Sequence, residues 1–191
     1  MSKFCIVNLL DMLEEVEEDA VMDILSTFHC PLNMEIENFL KKRAVEFAKK
    51  KISVTYLVFN NKNSLVAYIT LAHKPTLIPC QSMSKSTLRK LNRFSLMKPN
   101  EDNLNISAFL VAQFGKDTTV PKQDNICGSE LMNMCLEILI DVQRRIGGSV
   151  VFLECEDNEK LMQFYSEQKI KFYNKRNSSE GIVYNQLLLC L

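Results

Sequence analysis

The chain has 191 residues, which is enough for one well-buried core and small for two. Apolar residues make up 47% of it and charged residues 24%, which excludes extensive disorder. Its 23 basic and 23 acidic residues balance, which excludes a global attraction to nucleic acid or to a membrane surface. No signal peptide and no run of roughly 18 apolar residues is evident, so we expect a single cytoplasmic domain over residues 1–191.

A short strand and two helices are predicted near the N-terminus. The apolar run from Phe4 to Leu10 indicates the strand, and the acidic stretch at residues 11–23 indicates a helix that Pro31 would end. Asn33 is expected to cap a second helix, since asparagine is a favoured N-cap residue. The apolar residues of that helix recur at three- and four-residue spacing: Ile36, Phe39, Leu40, Ala44, Phe47 and Ala48.

An antiparallel hairpin is predicted next. Residues 52–59 alternate and are rich in β-branched and aromatic side chains, residues 60–63 supply a polar turn, and residues 64–72 form the returning strand. Residues 75–103 contain three of the five prolines, so we expect a long connection there with about one helical turn.

The pattern that follows predicts a strand–helix–strand crossover. Leu104–Phe114 is apolar on both faces, as in a central strand, and a polar loop at residues 115–125 leads into a helix over Ser129–Ile146. Gly147-Gly148 is expected to end that helix, because glycine adopts a left-handed backbone without steric cost. Since Ser149–Cys155 reads as a buried strand, the two strands are predicted to be parallel neighbours.

The C-terminal part is predicted to contain one more helix and two strands. Asn158 precedes a helix that carries Tyr165, and residues 170–175 and 183–190 form the last strands. The fold class is therefore expected to be α/β (α+β), with a mixed central sheet of about six to seven strands, a β-α-β core and flanking helices.

Metal and hydrolase chemistry are disfavoured by the cysteines and histidines. The seven cysteines are an odd number without a C-x-x-C pair, so reduced thiols are expected rather than a disulfide framework. The two histidines, His29 and His73, have no partner at metal-ligand spacing, so no metal site is predicted. Neither accompanies a nucleophile-elbow sequence, which argues against a serine or cysteine hydrolase.

The helix start near Ser129 is the best candidate for a binding site. Unpaired backbone N–H groups and the positive end of the helix dipole favour a phosphate there. The sequence Gln123-Asp124-Asn125-Ile126-Cys127-Gly128-Ser129 matches neither the Walker loop nor the Rossmann glycine pattern. From spacing alone, the segment is either a phosphate-binding loop or an ordinary loop before a helix.

Four segments resemble, in the same order along the chain, motifs of one protein family. The first is Phe28-His29-Cys30 with the helix after it, and the second is the hairpin with Thr55–Val58 and Ala67–Leu71. Gln123-x-x-Ile126-x-Gly128 resembles a Q/R-x-x-G-x-G/A pyrophosphate loop, and Asp157-Asn158 through Phe164-Tyr165 resembles a closing D-N-x(5)-L/F-Y motif. These motifs are those of the GCN5-related N-acetyltransferase (GNAT) family. The resemblance implies a GNAT-like fold, acetyl-CoA as cosubstrate and acetyl transfer to a primary amine.

The resemblance also implies roles for individual residues. Tyr165 is the implied general acid that protonates the departing CoA thiolate, and Asn158 is implied to reach the cofactor from the next crossover. Backbone groups near Leu110, Val111 and Ala112 are implied to pair with the pantetheine arm like an added strand. The implied pyrophosphate ligands are backbone amides of the loop and helix start: Gln123, Asn125, Ile126, Cys127, Gly128 and Ser129.

Three departures from the family pattern put activity in question. Ile126 stands where glycine is usual, so its β-branched side chain is a candidate to crowd or reshape the phosphate loop. The loop at residues 115–125 is longer than usual, and Lys169-Ile170 replaces Gly-Phe after the last helix. Two classes of function therefore stay open: an acetyl-CoA-dependent N-acetyltransferase, and a non-catalytic acyl-CoA-binding or partner-binding module on the same fold.

The sequence does not fix a general base for the acceptor amine. Glu154 and Glu156 share one strand face by period-two alternation, and we take Glu154 as the candidate base. Solvated strand-end charges are the alternative explanation for both residues. Catalysis by positioning alone would need no dedicated base.

Basic residues concentrate in two segments although the net charge is zero. Lys41–Arg43 with Lys49–Lys51 form one segment, and residues 83–98 form the other, with Lys85, Arg89, Lys90, Arg93 and Lys98. Either is a candidate to bind phosphates of an RNA or the 3′-phosphate of CoA, or is a solvated surface. Because the resembled branch includes toxins that acetylate aminoacyl-tRNA, tRNA stays open as a partner beside a small amine or a protein. A homodimer also stays open, and no membrane partner is expected.

Overall fold

The computed structural model describes residues 3–95, 102–179 and 181–191. The strands are β1 (Phe4–Asn8), β2 (Val54–Asn60), β3 (Leu65–Pro79), β4 (Asn103–Lys116), β5 (Val150–Glu156), β6 (Lys171–Asn177) and β7 (Val183–Cys190). The α-helices are α1 (Leu9–Glu15), α2 (Glu18–Ser26), α3 (Met34–Lys42), α4 (Ala44–Lys49), α5 (Lys85–Asn92), α6 (Gly128–Ile146) and α7 (Glu159–Glu167), and a 3-10 turn lies at Cys80–Ser82.

The strands form one mixed sheet in the order β1-β2-β3-β4-β5-β7-β6. Antiparallel pairing joins β1 to β2, β2 to β3, β5 to β7 and β6 to β7, whereas β4 and β5 are parallel. A parallel pair requires a crossover connection, and α6 provides it between β4 and β5. The predicted α/β (α+β) architecture with a β-α-β core is therefore confirmed.

The N-terminal strand is shorter than predicted because a helix cap interrupts it. Asn8 Oδ1 accepts a hydrogen bond from Leu10 N at 2.9 Å, so β1 ends at Asn8 and α1 starts at Leu9. The acidic stretch forms two helices instead of one, because Val16 is extended (φ −127°, ψ 139°) and ends α1.

The helix predicted after Asn33 is also divided. Asn33 Oδ1 accepts hydrogen bonds from Glu35 N at 3.0 Å and Ile36 N at 3.3 Å, which confirms it as the cap of α3. Arg43 then leaves the helical region, with φ −126° and ψ −29°, and separates α3 from α4. The three- and four-residue apolar spacing continues across this break, so the pattern alone did not reveal it.

The stretch between the hairpin and β4 contains more regular structure than predicted. β3 runs on to Pro79, and α5 starts behind Ser84, whose Oγ accepts a hydrogen bond from Thr87 N at 3.2 Å. Leu91 on α5 is 1% exposed, so this helix packs into a core. The prediction of a long connection with about one helical turn is therefore wrong. Lys98, the last basic residue of the segment, lies outside the described residues.

One compact unit comprises residues 3–72 and 112–135. Its core contains the buried ring of Tyr68, which stacks on Phe39 at 6.4 Å and meets Phe28 edge-on at 5.3 Å between ring centroids. Tyr68 Oη donates to Ile36 O at 2.6 Å, so the polar group of this side chain is satisfied. Gly115 of β4 lies so close to Ile36 that any side chain there would clash. These contacts fix the end of β4, which leads into the loop before α6.

The other compact unit comprises the described residues of 73–111 and 136–191. Its core includes Leu91, Ile106 and Phe152 among its buried side chains. Gly147 and Gly148 end α6 with φ +77° and +99°, as predicted, and a Cβ at Gly148 would lie 2.8 Å from the Phe109 ring. The expectation of a single domain over the whole chain stays a prediction.

The seven cysteines are free thiols, as expected for a reduced protein: Cys30, Cys135 and Cys155 are buried, Cys80 is intermediate, and Cys5, Cys127 and Cys190 are exposed. Within the described ranges, no group of three or more His, Cys, Asp and Glu side chains is arranged to hold a metal ion. None of the helices in those ranges is long and apolar enough to cross a membrane.

Candidate functional site

The N-terminus of α6 presents backbone N–H groups at the end of a polar loop. In the described chain, the amides of Cys127, Gly128 and Ser129 donate no hydrogen bond to another backbone group. The first turn closes at Leu131, whose N donates to Cys127 O at 3.1 Å. Because α6 has 19 residues, its dipole places partial positive charge at this end, where an anion is stabilised.

A pocket of about 540 Å³ is lined by this helix start and the loop before it. Cys127 contributes from the helix side, and Lys116 and Lys122 contribute two cationic side chains. Lys116 Nζ donates to Ile126 O at 2.9 Å, which ties the end of β4 to the loop. Two ammonium groups and a row of N–H groups suit a polyanion such as a diphosphate. Sequence analysis named neither lysine, because their position beside the helix start depends on the path of the loop.

The middle of the loop is held from outside by three contacts. Lys3 Nζ donates to Gln123 O at 2.6 Å, and the buried Asn60 donates through Nδ2 to Asp124 O at 3.1 Å. Lys62 Nζ forms an ion pair with Asp124 Oδ2 at 2.8 Å. These contacts connect the loop to the start of β1 and to the β2–β3 turn. The backbone carbonyl of Gln123, one of the implied phosphate ligands, therefore accepts a hydrogen bond from Lys3.

Asn125 closes the end of the loop on its beginning. Its Nδ2 donates to Asp117 O at 2.6 Å, and its Oδ1 accepts from Ile126 N at 2.8 Å. The amide of Ile126 is thus occupied by a neighbouring side chain. Of the implied ligands, Cys127, Gly128 and Ser129 have backbone N–H groups that donate to no described backbone group.

The replacement of glycine by Ile126 is accommodated in the interior. The Ile126 side chain is 1% exposed, so it packs inward and leaves the surface of the loop open. Among the described non-glycine residues, positive φ occurs at Lys51, Asn63 and Lys169. Ile126 therefore has an ordinary backbone conformation, and no glycine is required at this position.

Cys127 is an exposed thiol at the positive end of α6. Its Sγ lies 3.2 Å from Ser129 Oγ and accepts from Glu130 N at 3.4 Å. These hydrogen bonds, with that of Ser129 the largest, lower the pKa of the Cys127 thiol below its ordinary value and outweigh its slight burial. The thiol thus caps the helix and carries more thiolate character than an ordinary exposed cysteine.

The residues implied for pantetheine lie where the parallel ladder of β4 and β5 ends. Leu110 pairs with Phe152, and Val111 pairs with Leu153 as the last pair of the ladder. β4 then continues to Lys116. Leu110 and Val111 are therefore within the paired part of the sheet, whereas Ala112 is the first residue beyond that ladder.

Asn158 and Tyr165 lie on the first and last turns of α7. Asn158 Oδ1 accepts from Lys160 N at 2.9 Å and from Leu161 N at 3.4 Å, which confirms the predicted cap. Tyr165 is 6% exposed, and its ring meets that of Phe164 edge-on at 5.1 Å. The side chain of Tyr165 is therefore held in a fixed, buried position, which a positioned proton donor requires.

The third departure from the resembled motif, Lys169-Ile170, follows Tyr165. Ile170 N donates to Tyr165 O at 2.9 Å, and the turn that allows this contact has Lys169 in the left-handed region, with φ +62°. Glycine would adopt this conformation without strain, whereas lysine does so at a cost of about 1 kcal/mol. The end of α7 therefore has the left-handed backbone conformation that a glycine at residue 169 would adopt.

Glu154 on β5 is a half-buried carboxylate with both oxygens in use. Oε2 accepts from Arg176 Nη2 at 2.6 Å, and Oε1 accepts from Arg176 Nε at 3.0 Å and Gln186 Nε2 at 2.7 Å. Burial alone would raise the pKa of Glu154, but these hydrogen bonds and the Arg176 charge outweigh it and lower the pKa. A carboxylate with a lowered pKa is a weak proton acceptor, so this geometry disfavours Glu154 as the base.

The two basic segments differ in how their charges are compensated. Lys41 pairs with Glu37 at 2.7 Å, Lys50 pairs with Glu46 at 2.5 Å, and Lys49 pairs with Glu18. Lys42, Arg43 and Lys51 of that segment form no ion pair with a described residue. In the second segment the same holds for every described cation: Lys85, Arg89, Lys90 and Arg93.

A further cation is Lys171, at the start of β6, which forms no ion pair with a described residue. Burial raises the pKa of the Cys190 thiol, and the charges of Lys90 and Lys171 both oppose that rise.

The candidate residues divide between the two compact units. Ala112 and the loop and helix start at residues 123–129 belong to the first unit, where Asn125, Ile126 and Cys127 line one pocket. The second unit contains the other candidates: Leu110, Val111, Glu154, Asn158 and Tyr165.

Comparison with known proteins identifies relatives by structure. No protein-family model matches the chain, and no curated protein matches it. AtaT complexed with acetyl-methionyl-tRNAfMet is similar with a TM-score of 0.67 and 21% identity, over 98% of this chain and 94% of that chain. A tyrosine-to-phenylalanine mutant of KacT is similar with a TM-score of 0.69 and 18% identity, over 99% and 95%.

A tyrosine-to-phenylalanine mutant of AtaT, bound to the C-terminus of the antitoxin AtaR and to acetyl-CoA, is a third structure of this kind. Its TM-score is 0.62 at 16% identity, over 99% of this chain and 94% of that chain. At such identities the likeness establishes the fold. The expected GNAT-like architecture is confirmed over nearly the whole length of the chain.

Proposed function

We propose that the protein is an acetyl-CoA-dependent N-acetyltransferase. The observation that carries this proposal is the start of α6, where Cys127, whose N–H donates to no described backbone group, lines a pocket with Lys116 and Lys122. This site follows a central strand in a β-α-β unit, as expected for a phosphate-binding loop. A solved structure with the same fold, that of AtaT, contains acetyl-CoA.

The pyrophosphate of the cofactor binds the amides of Cys127, Gly128 and Ser129, with Lys116 and Lys122 as counter-charges. Ile126 contributes through its position rather than its amide, because Asn125 already accepts that N–H. The pantetheine arm pairs with the backbone of β4 from Ala112 onward, since Leu110 and Val111 are within the ladder with β5.

Transfer proceeds by attack of the neutral acceptor amine on the thioester carbonyl carbon. The new C–N bond forms, the C–S bond breaks, and the CoA thiolate takes the proton of the Tyr165 hydroxyl. The carboxylate of Glu154 is held by Arg176, so the amine proton passes to solvent and catalysis relies on positioning. The Tyr165 phenolate takes up a proton from solvent before the next turnover. Asn158 fixes the first turn of α7 and thereby the helix that carries Tyr165.

Calorimetric titration of the full chain with acetyl-CoA tests the site itself. Saturable one-site binding is expected, and absence of binding would overturn the proposal. Binding without acetyl transfer to amines, peptides or charged tRNA would instead identify a non-catalytic acyl-CoA-binding module.

The Tyr165→Phe variant tests the acid. We expect kcat to fall about 100-fold with an unchanged dissociation constant for acetyl-CoA, because a single proton donor is removed. Tyr173→Phe is the matched control, since Tyr173 is also 6% exposed and lies in the same unit. Equal rates for Tyr165→Phe and the parent would exclude Tyr165 as the acid.

We further propose that the amine acceptor is an aminoacyl-tRNA. The support is the set of cations at residues 85–93 that form no ion pair with a described residue, and the structure of AtaT with acetyl-methionyl-tRNAfMet. Phosphate contacts of this kind make RNA binding depend on salt concentration.

A triple substitution of Arg89, Lys90 and Arg93 to alanine tests the acceptor. We expect tRNA binding to weaken and the slope of log K against log salt to decrease by about two to three. The control replaces Lys41, Lys49 and Lys50, which form ion pairs, and should change the slope by less than about one. Equal effects of the two triple variants would argue against an RNA surface on α5.

A further inference from the structure

Asp117 is a buried carboxylate without a part in the proposed chemistry. It follows β4 directly and is 2% exposed. Its Oδ2 accepts from His29 N at 2.8 Å, and its Oδ1 accepts from Thr119 N at 2.7 Å, Thr119 Oγ1 at 2.6 Å and Val120 N at 3.3 Å. All these donors are uncharged, so the loop itself solvates the carboxylate.

The backbone of Asp117 connects the start of the loop to its end. Asp117 N donates to Val66 O at 2.8 Å, and Asp117 O accepts from Asn125 Nδ2 at 2.6 Å. Asn125 in turn accepts from Ile126 N at 2.8 Å, one residue before Cys127. A continuous chain of hydrogen bonds therefore runs from β3 through Asp117 to Ile126, two residues before α6.

This chain of hydrogen bonds determines where the amides of residues 127–129 point. A loop that became ordered only on ligand binding would lose conformational entropy at that step and bind more weakly. Asp117 and Asn125 also line the pocket, and their hydrogen bonds hold the loop in place before a ligand binds. The adjacent phosphate-binding N–H groups depend on that arrangement.

We infer that Asp117 is the positioning residue of the phosphate-binding loop and sets the affinity for the pyrophosphate part of acetyl-CoA. This inference rests on the proposed function. It names a residue outside the predicted ligand set, and it distinguishes the nucleotide end of the cofactor from the thioester end.

The test measures the dissociation constants of two ligands for the parent protein and for the Asp117→Asn variant. Acetyl-CoA carries the pyrophosphate, whereas S-acetylpantetheine carries the same thioester and pantetheine arm without it. Asparagine keeps the shape of the side chain but loses one acceptor and the charge. We expect the dissociation constant for acetyl-CoA to rise about tenfold or more, with that for S-acetylpantetheine changed by less than about twofold.

Asp141→Asn is the matched control, because it makes the same change in an exposed ion pair with Arg145 on α6, away from the loop. It should leave the ratio of the two dissociation constants unchanged. Equal weakening of both ligands in Asp117→Asn, or no weakening of either, would overturn the inference.

A second variant covers the case in which Asp117→Asn does not fold, as judged from thermal unfolding. Asn125→Ala removes the link from Asp117 O to Ile126 N and leaves the carboxylate of Asp117 with its donors. It should also weaken acetyl-CoA selectively, and equal weakening of both ligands would again overturn the inference. If the parent protein binds no acetyl-CoA, the proposed function fails together with the inference. If the parent binds acetyl-CoA and the variants weaken both ligands equally, only the inference fails.

Discussion

Two carboxylates of this protein are stabilised by opposite means. Asp117, in the loop after β4, accepts hydrogen bonds from uncharged N–H and O–H groups of its own compact unit. Glu154, on β5 in the other unit, is neutralised by the guanidinium of Arg176. Sequence analysis named Glu154 as the candidate base and gave Asp117 no role.

The difference between the two environments separates their functions. Because Asp117 uses no cation, Lys116 and Lys122 remain available to an anionic ligand in the same pocket. The charge of Glu154 is already compensated, so this residue joins β5 to β6 and β7 instead of accepting a substrate proton. The loop after β4 is thus organised for binding, and the Glu154 network is organised for holding strands together.

The largest effect that tests this comparison is expected at Ile126, in the loop. Ile126→Gly restores the family's glycine but removes a side chain that is 1% exposed. We expect a loss of about 4 kcal/mol in the free energy of unfolding, without tighter binding of acetyl-CoA. Urea unfolding measures the first and calorimetry the second. Tighter binding by Ile126→Gly would show that isoleucine does crowd the phosphate loop.

The next effect compares the two carboxylates directly. Asp117→Ala should cost about 3 kcal/mol in the free energy of unfolding, because several buried donors lose their acceptor. Glu154→Ala should cost about 1 kcal/mol, since Arg176 is half-exposed and can be rehydrated. Urea unfolding of both variants provides the comparison. A larger cost at Glu154 than at Asp117 would show that the Arg176 ion pair stabilises the fold more than the hydrogen bonds to Asp117 do.

A smaller effect concerns the dependence of stability on pH. The pKa of Glu154 is lowered in the folded state, so its contribution is present above its ordinary value of 4.5 and is lost as pH falls through the folded value. Glu154→Gln should therefore remove a component of about 1 kcal/mol from the acid side of the stability profile. The free energy of unfolding is to be measured between about pH 6 and pH 3. An unchanged profile would mean that Arg176 does not stabilise this carboxylate.

The smallest effect is a difference in thiol reactivity between the same two regions. The pKa of Cys127, in the loop, is lowered by Ser129, whereas burial and nearby carboxylates raise the pKa of Cys155, on β5, to about 11. Iodoacetamide should therefore modify Cys127 first, about fivefold or more ahead of Cys155, and acetyl-CoA should slow only the reaction of Cys127. Peptide mass spectrometry follows both sites. Modification of Cys127 at the same rate with and without acetyl-CoA would place the cofactor elsewhere.

Much of the fold was predictable because its signals are local. Alternation predicted β2, the apolar stripe predicted α6, and asparagine caps predicted the starts of α3 and α7. The parallel pairing of β4 and β5 followed from the helix between them. These inferences depend on residues within one or two helical turns of each other.

The element boundaries that were missed also have local causes, but weaker ones. Asn8 follows an apolar run and starts α1 where a longer strand was expected. Ser84 caps α5 in a proline-rich segment that was interpreted as a connection. The kink at Arg43 leaves the apolar spacing unchanged, so periodicity does not detect it.

The helix start beside the candidate site was predictable, whereas the internal arrangement of the loop before it was not. The helix start at Gly128 followed from the crossover pattern. The inward direction of Ile126 depends on packing between elements, which the pattern of one segment does not contain. The role of Asp117 depends on donors elsewhere in the chain, so it has no signature in the loop sequence.

The hydrogen bond from His29 N to Asp117 Oδ2 also bears on how the chain folds. It joins residues that are 88 positions apart, and contacts of such separation form late because closing a long loop costs entropy. The phosphate-binding loop therefore reaches its final shape only after the turn between α2 and α3 has packed against it. The loop at residues 115–125 is thus among the last parts of the first unit to take its final shape.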